Sequence, residues 1–185
     1  MPAMNSSLLC PCIYLAGPDV FRPDSAACFE ALKAACARHG LQGLEPSDGD
    51  IPTDFRGSDD ERAQRIYEGN IRRIRQADAV LANLCNFRGL EPDSGTVFEI
   101  GYAVALGKPV AAYGIPPGSY AHRVSATLPS ARDVTGVLRE QQSGLMIEGL
   151  GQRLNLMLTR SAHIEPTAEA AVARLAELLR RAAHA

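Results

Sequence analysis

Residues 78–109, DAVLANLCNFRGLEPDSGTVFEIGYAVALGKP, constrain the fold more than any other stretch of the chain. Residues 78–84 form an apolar run of strand length. Residues 86–95 are rich in Gly, Pro and Asp and read as a loop. Residues 96–106 read as an apolar helix that stops at Gly107, with Pro109 just beyond. Strand, loop and buried helix in that order form half of a parallel βαβ unit. Glu99 falls in the first turn of this helix, and Asp93 lies in the loop before it. Two readings of Glu99 are open. Thr96-Val97-Phe98-Glu99 fits a capping box, with Thr96 as N-cap and Glu99 reaching back to its amide. Alternatively, Glu99 is a site residue, since a carboxylate over the carboxyl end of a parallel strand sits where open α/β sheets hold ligands. Burying it in so apolar a helix is costly unless something uses it.

The rest of the chain alternates in the same way. Residues 13–16 read as a short apolar strand ended by Gly17-Pro18-Asp19. A helix follows from Asp24 or Ser25 to about Arg38, with Ala27, Leu32, Ala35 and Cys36 on its inner face, and Gly40 closes it. Residues 41–44 are a weak second strand. Residues 45–59 form an acidic loop of a length that is often functional. Residues 60–76 make the clearest amphipathic helix, with Ala63, Ile66, Tyr67, Asn70, Ile71 and Ile74 inward. Arg62, Arg65, Arg72, Arg73 and Arg75 mostly form its solvated face. Asn70 is the polar exception on the apolar side, either a satisfied core residue or a side chain aimed into a pocket. Residues 110–113 are the next strand, 114–133 are irregular, and Leu145-Met146 belong to a last strand or an extended connector. A short apolar helix covers residues 155–158. An amphipathic helix from Thr167 to about Ala182 follows, with Ala171, Leu175, Leu178 and Leu179 inward. Such alternation with right-handed crossovers predicts an α/β fold: a doubly wound, flavodoxin-like sheet of about five parallel strands with helices on both faces. It spans residues 1–185 as one domain, with 1–10 as a loose tail.

Composition narrows the chemistry. The chain is 46% hydrophobic and 22% charged, with a formal net charge of -2 and a pI near 6.1. Polymeric nucleic acid and anionic membranes are therefore poor partners. No apolar run approaches ~20 residues, and the first residues lack the basic start and apolar segment of a secretory signal. Cys10, Cys12, Cys28, Cys36 and Cys85 are odd in number and irregularly spaced. Free thiols in a reducing cytoplasm fit them better than a disulfide framework. Cys10-Pro11-Cys12 lacks the CxxC spacing, and the four histidines are scattered. P-loop, GxGxxG and GxSxG motifs are absent. What remains is carboxylate chemistry on a small, mostly uncharged ligand, without metal or cofactor.

Several short pieces carry a specific resemblance. They are Ile13-Tyr14-Leu15-Ala16-Gly17-Pro18 with Phe21, Asn70 followed by Ala77-Asp78, and Phe87-Arg88-Gly89. Glu91-Pro92-Asp93-Ser94-Gly95-Thr96 with Phe98-Glu99-Ile100-Gly101-Tyr102 comes next, then Glu148-Gly149-Leu150-Gly151 with Asn155-Leu156-Met157-Leu158. In this order, across nearly the whole chain, they resemble the nucleoside 2-deoxyribosyltransferase family. The resemblance implies a cytoplasmic salvage enzyme that exchanges the bases of 2'-deoxynucleosides. Glu99 would attack the anomeric carbon and form a covalent deoxyribosyl-enzyme, and a second base would then attack from the vacated face. This is the logic of a retaining glycosidase.

The resemblance also implies roles for single residues. Tyr14 would hydrogen-bond near Glu99 and orient it; packing alone is the rival role. Asp93 would accept a hydrogen bond from the sugar 5'-hydroxyl, which disfavours a 5'-phosphate through like charge. Gly17, Phe21 and Asn70 would bind substrate. Asn155 matches a residue that reaches the 5'-hydroxyl from a neighbouring subunit, implying a homodimer or larger; read alone, it is an ordinary helix N-cap. Some relatives carry Asp where Asn70 aligns, and Asn is no strong proton donor. The donor to the leaving base is thus unassigned, with Asp19, Glu45 and Asp48 in loops near the expected base. Asp78 starts a strand and lies away from the pocket. The competing functions are a deoxynucleoside or deoxynucleotide N-glycoside hydrolase on the same scaffold and a non-catalytic sensor. A sensor has no need of a buried nucleophile.

Overall fold

The computed structural model describes residues 10–46 and 51–184. In chain order these form β1 (Cys12–Ala16), α1 (Ser25–Arg38), β2 (Gln42–Leu44), α2 (Asp59–Gln76), β3 (Ala79–Asn83) and α3 (Ser94–Ala105). There follow β4 (Val110–Tyr113), α4 (Tyr120–Thr127), β5 (Ser130–Arg132), β6 (Leu138–Glu140), α5 (Leu156–Ser161), β7 (His163–Ile164) and α6 (Ala168–Ala182). A single 3-10 turn, Pro18–Phe21, follows β1.

The main sheet has five strands in the order β2-β1-β3-β4-β7, and every pairing is parallel. This is the expected doubly wound, flavodoxin-like arrangement. The strands are short and nearly all apolar because both faces are covered. Ile13, Leu15, Ala79 and Leu81 pack with α1 and α6 on one face. Tyr14, Ala16, Val80 and Ala82 pack with Ile74 of α2, Ile100 and Ala103 of α3, and Leu158 of α5 on the other.

Several local expectations are corrected. The fifth strand is β7; of the two alternatives for Leu145-Met146 the connector holds, with Met146 bridging Arg139 beside the antiparallel β5–β6 hairpin. Residues 114–133 are not wholly irregular, since they hold α4, capped by Ser119, and β5. Strands of two or three residues are too short to show a period of two. In α1 the exposed Ala27 is replaced on the inner face by Phe29. In α2 only Gly69 and Ile74 are buried, while Ala63 and Tyr67 lie exposed. Arg73, assigned above to the solvated face, is half-buried. In α6 the inner face is Ala171, Val172, Leu175 and Ala176, with Leu178 and Leu179 packed at its margin. No described helix is long and apolar enough to cross a membrane.

The chain reverses its winding between β1 and β3, and there the carboxyl ends of the strands open a crevice. Asn83 stands at the carboxyl end of β3. Its Nδ2 donates to Asp19 Oδ2 at 2.9 Å, and its Oδ1 accepts from the Cys85 amide at 3.2 Å. Gly17 leaves no room beside this pair: a Cβ would stand 2.8 Å from Asp19 Oδ2 and 2.9 Å from Asn83 Cβ. Gly17→Ala should destabilise the fold by about 1–3 kcal/mol, a fall in melting temperature of roughly 2–4 °C per kcal/mol. Thermal unfolding followed by circular dichroism checks this.

Candidate active site

The period of two along β1 sends Tyr14 to the face of the sheet that α2 and α3 cover. Tyr14 is fully buried there, and its hydroxyl donates to Glu99 Oε1 at 2.5 Å. Helix α3 starts two residues earlier than its sequence pattern indicates. Asp93 is its N-cap: Oδ2 accepts from the Thr96 amide at 2.9 Å and from Thr96 Oγ1 at 3.0 Å. The capping box at Thr96 and Glu99 is therefore not formed. Asp outcompetes Thr as a cap, and the shift moves Glu99 out of the first turn. Glu99 follows Thr96 by one turn, shares its inward flank and meets Tyr14 instead.

Burial pushes the Glu99 carboxyl up to about 7; the Tyr14 hydrogen bond works against this, and the negative charge of Asp93 adds to it. Burial and the facing Glu99 charge hold the Tyr14 phenol far above its ordinary range, with nearby Arg73 pulling the other way. Tyr14 thus stays a hydrogen-bond donor at neutral pH, and Glu99 is poised between its two forms. A carboxylate tuned to neutrality in a cleft marks a functional site.

The cleft encloses about 460 Å³. Its lining comes from Gly17, Val20, Phe21, Ser25 and Phe29 after β1, and from Pro46 after β2. Ile66 and Asn70 of α2, and Asp93, Gly95, Thr96 and Glu99 at α3, complete it. Gly17, Phe21, Asn70, Asp93 and Glu99 thus share one cavity, with Tyr14 behind Glu99. Asn155 does not join them. It caps α5 by accepting from the Met157 amide at 2.9 Å, and its Nδ2 donates to Glu148 at 3.0 Å. It borders a separate cavity of about 500 Å³ between α3 and α5.

Of the remaining acidic candidates, Asp19 and Glu45 do not line this cavity. Asp19 is buried against Asn83, and Glu45 pairs with Lys33 at 3.3 Å. Asp48 lies outside the described residues. Asp78 accepts from the Cys12 amide at the amino end of β1, away from the cleft as expected. Val20, Ser25, Phe29, Pro46 and Ile66 were not singled out by sequence. Phe29 was the most legible of them, one turn past Ser25 on the same side of α1. Among the described residues no group of three His, Cys, Asp or Glu side chains is placed to hold a metal ion.

The arrangement offers a half-buried carboxylate with a donor behind it, a second carboxylate beside it, and apolar walls that suit a flat heterocycle. Asp93→Asn separates the cap from the charge. Asn caps helices as well as Asp, so the melting temperature should stay within about 2 °C. Loss of the Asp93 charge should lower the Glu99 titration below about 7. Carbon-13 NMR of labelled carboxyl groups reads this directly.

Known proteins resemble this chain in sequence and in fold. A sequence model of the nucleoside 2-deoxyribosyltransferase family matches residues 13–157. The 2-deoxyribosyltransferase of Leishmania mexicana superposes with a TM-score of 0.68 at 29% identity, covering 90% of this chain and 97% of that one. A conserved protein of Enterococcus faecalis shares the fold, with a TM-score of 0.58 at 19% identity over 91% of this chain and 99% of its own. An uncharacterized protein of Schizosaccharomyces pombe is 35% identical over 115 residues. That match takes in 62% of this chain, which spans only 54% of that curated relative's length. With its match from the first strand to the helix that Asn155 caps, the chain belongs to the nucleoside 2-deoxyribosyltransferase family.

Proposed function

We propose that the chain exchanges the bases of 2'-deoxynucleosides by double displacement on Glu99, a reaction that serves nucleoside salvage. The observation that carries this reading is the Glu99 carboxylate, half-buried at a cleft and held by Tyr14 at 2.5 Å. Glu99 Oε attacks the anomeric carbon as the glycosidic C–N bond breaks. The base leaves with the bonding electron pair and takes up a proton, and the sugar is held as a deoxyribosyl ester. A ring nitrogen of a second base then attacks the same carbon, loses its proton and expels the carboxylate, giving net retention. Tyr14 holds the carboxylate in line before attack and receives it again on departure. Asp93 accepts the sugar 5'-hydroxyl while capping α3, and its charge opposes a 5'-phosphate. Phe21 and Asn70 flank the base, and Gly17 lets the backbone close on the ligand.

The proposal includes a homodimer or larger. Asn155 lies beside exposed Val104, Leu156 and Met157, an apolar face that supports contact with a second copy and delivery of Asn155 to its cleft. Sedimentation equilibrium tests the assembly.

The activity is tested by incubating the protein with 2'-deoxyinosine and adenine, with inosine plus adenine as control. Deoxyadenosine with hypoxanthine, and no product from inosine, is expected. Hypoxanthine without deoxyadenosine would make the protein a hydrolase. No change with any purine or pyrimidine pair would overturn the reading.

A further inference from the structure

Phe21 is an unusual cleft residue. It lines the cavity beside Glu99 yet is 61% exposed, so the cavity alone does not fix its ring. What fixes it comes from the loop after β3. Phe87 stacks on Phe21 with ring centroids 5.3 Å apart and planes 28° from parallel. The Arg88 guanidinium lies 4.6 Å from the Phe87 centroid and 5.9 Å from that of Phe21, within cation–π reach of both. The loop is closed by the Phe87 amide donating to the Glu91 carbonyl at 2.9 Å. It leads directly to Asp93 and α3.

The backbone at this point is informative. Arg88 has φ of 53°, and it is the one non-glycine residue with positive φ among the described residues. L side chains avoid this left-handed region. Glycine adopts it freely, and Gly89 stands next in the chain. Arginine therefore occupies a position where its backbone is disfavoured, and its side chain is spent on two aromatic rings. Strained residues of this kind gather at ligand clamps.

Resting on the function proposed above, we infer that Arg88 is a positioning residue. With Phe87 it holds the Phe21 ring as the stacking surface for both the leaving and the incoming base. Stacking on an aromatic side chain accepts any base, since every base has a π face. That suits a site that must release one base and seat another.

The chain contains no Trp, which gives a spectroscopic test. Phe21→Trp places the only indole at the stacking position, and adenine is titrated against its fluorescence in the full chain. Adding Arg88→Gly removes the guanidinium and relieves the left-handed strain, so thermal unfolding should be unchanged or raised. The adenine dissociation constant should nevertheless rise about threefold to thirtyfold. Arg88→Lys, which keeps the cation, should recover part of the loss, and Arg88→Met should not. Equal dissociation constants with Arg88 and with Gly at this position would overturn the clamp. If adenine quenches nothing in Phe21→Trp while the unsubstituted chain exchanges bases, the stacking role falls and the function stands. If the unsubstituted chain exchanges no bases either, the underlying function falls with it.

Discussion

Glu99→Gln should abolish base exchange and, above neutral pH, make the fold more stable. The activity loss is expected to be roughly a thousandfold or more, because an amide is too weak a nucleophile to displace a base. The stability gain follows from the same burial. The Glu99 carboxyl titrates at about 7 in the folded chain against an ordinary 4.5. Between those values the folded state holds a proton that the unfolded state has lost. The stability associated with the bound proton is therefore complete below 4.5 and is lost as pH rises through about 7. Relative to the neutral form, the ionised carboxylate costs the fold about 3 kcal/mol at most. The amide carries no such charge. Its melting temperature should exceed that of the parent by about 5 °C at about pH 8, and by little at about pH 4. Melting curves at the two pH values read this sign. Equal melting temperatures at both would mean that Glu99 is hydrated in the folded chain and its carboxyl not raised by partial burial.

Tyr14→Phe tests the other half of the pair. The Tyr14 hydrogen bond is the force that holds the Glu99 pKa down against burial. A hydrogen bond to an ionised group contributes about 1.5–3 kcal/mol, which corresponds to roughly one or two pH units. Its removal should push the Glu99 carboxyl further above 7 and leave less of the nucleophile ionised. The acid limb of the kcat/KM profile should move to higher pH. Turnover at about pH 6 should fall about tenfold to a hundredfold, with partial recovery as pH is raised. A uniform fall with an unmoved acid limb would show that Tyr14 only packs against α3.

Much of this was legible in the chain itself, and the losses have physical causes. The apolar strands β1, β3 and β4 and the helices ended by Gly107 or begun at Thr167 carry clear composition, periodicity and caps, so the sequence places them within a residue or two. Strand β7 has two residues and pairs only with β4, which is too short for any pattern to mark it. The hairpin β5–β6 and helix α4 lie among prolines that hide them as loop. The start of α3 differs from its sequence pattern because two cap candidates three residues apart compete, and the structure uses Asp93 and not Thr96. Tyr14 and Glu99 met because alternation along β1 and the parallel order β1–β3 leave Tyr14 facing α3. The role of α2 was harder to read. Its apolar stripe suggests a fully buried face, yet Tyr67 stays exposed beside Phe98, and Arg73 is half-buried and close enough for its charge to act on Tyr14. A helical period reports which residues share a side; it does not report how deeply neighbours cover that side.

Intact-protein mass spectrometry after brief exposure to 2'-deoxyinosine, followed by peptide mapping, tests the covalent step. An increase equal to one deoxyribosyl group, located on Glu99 and released when adenine is added, is the expected result. Deoxyadenosine formation with no adduct on Glu99, or an adduct on another residue, would contradict double displacement on this carboxylate.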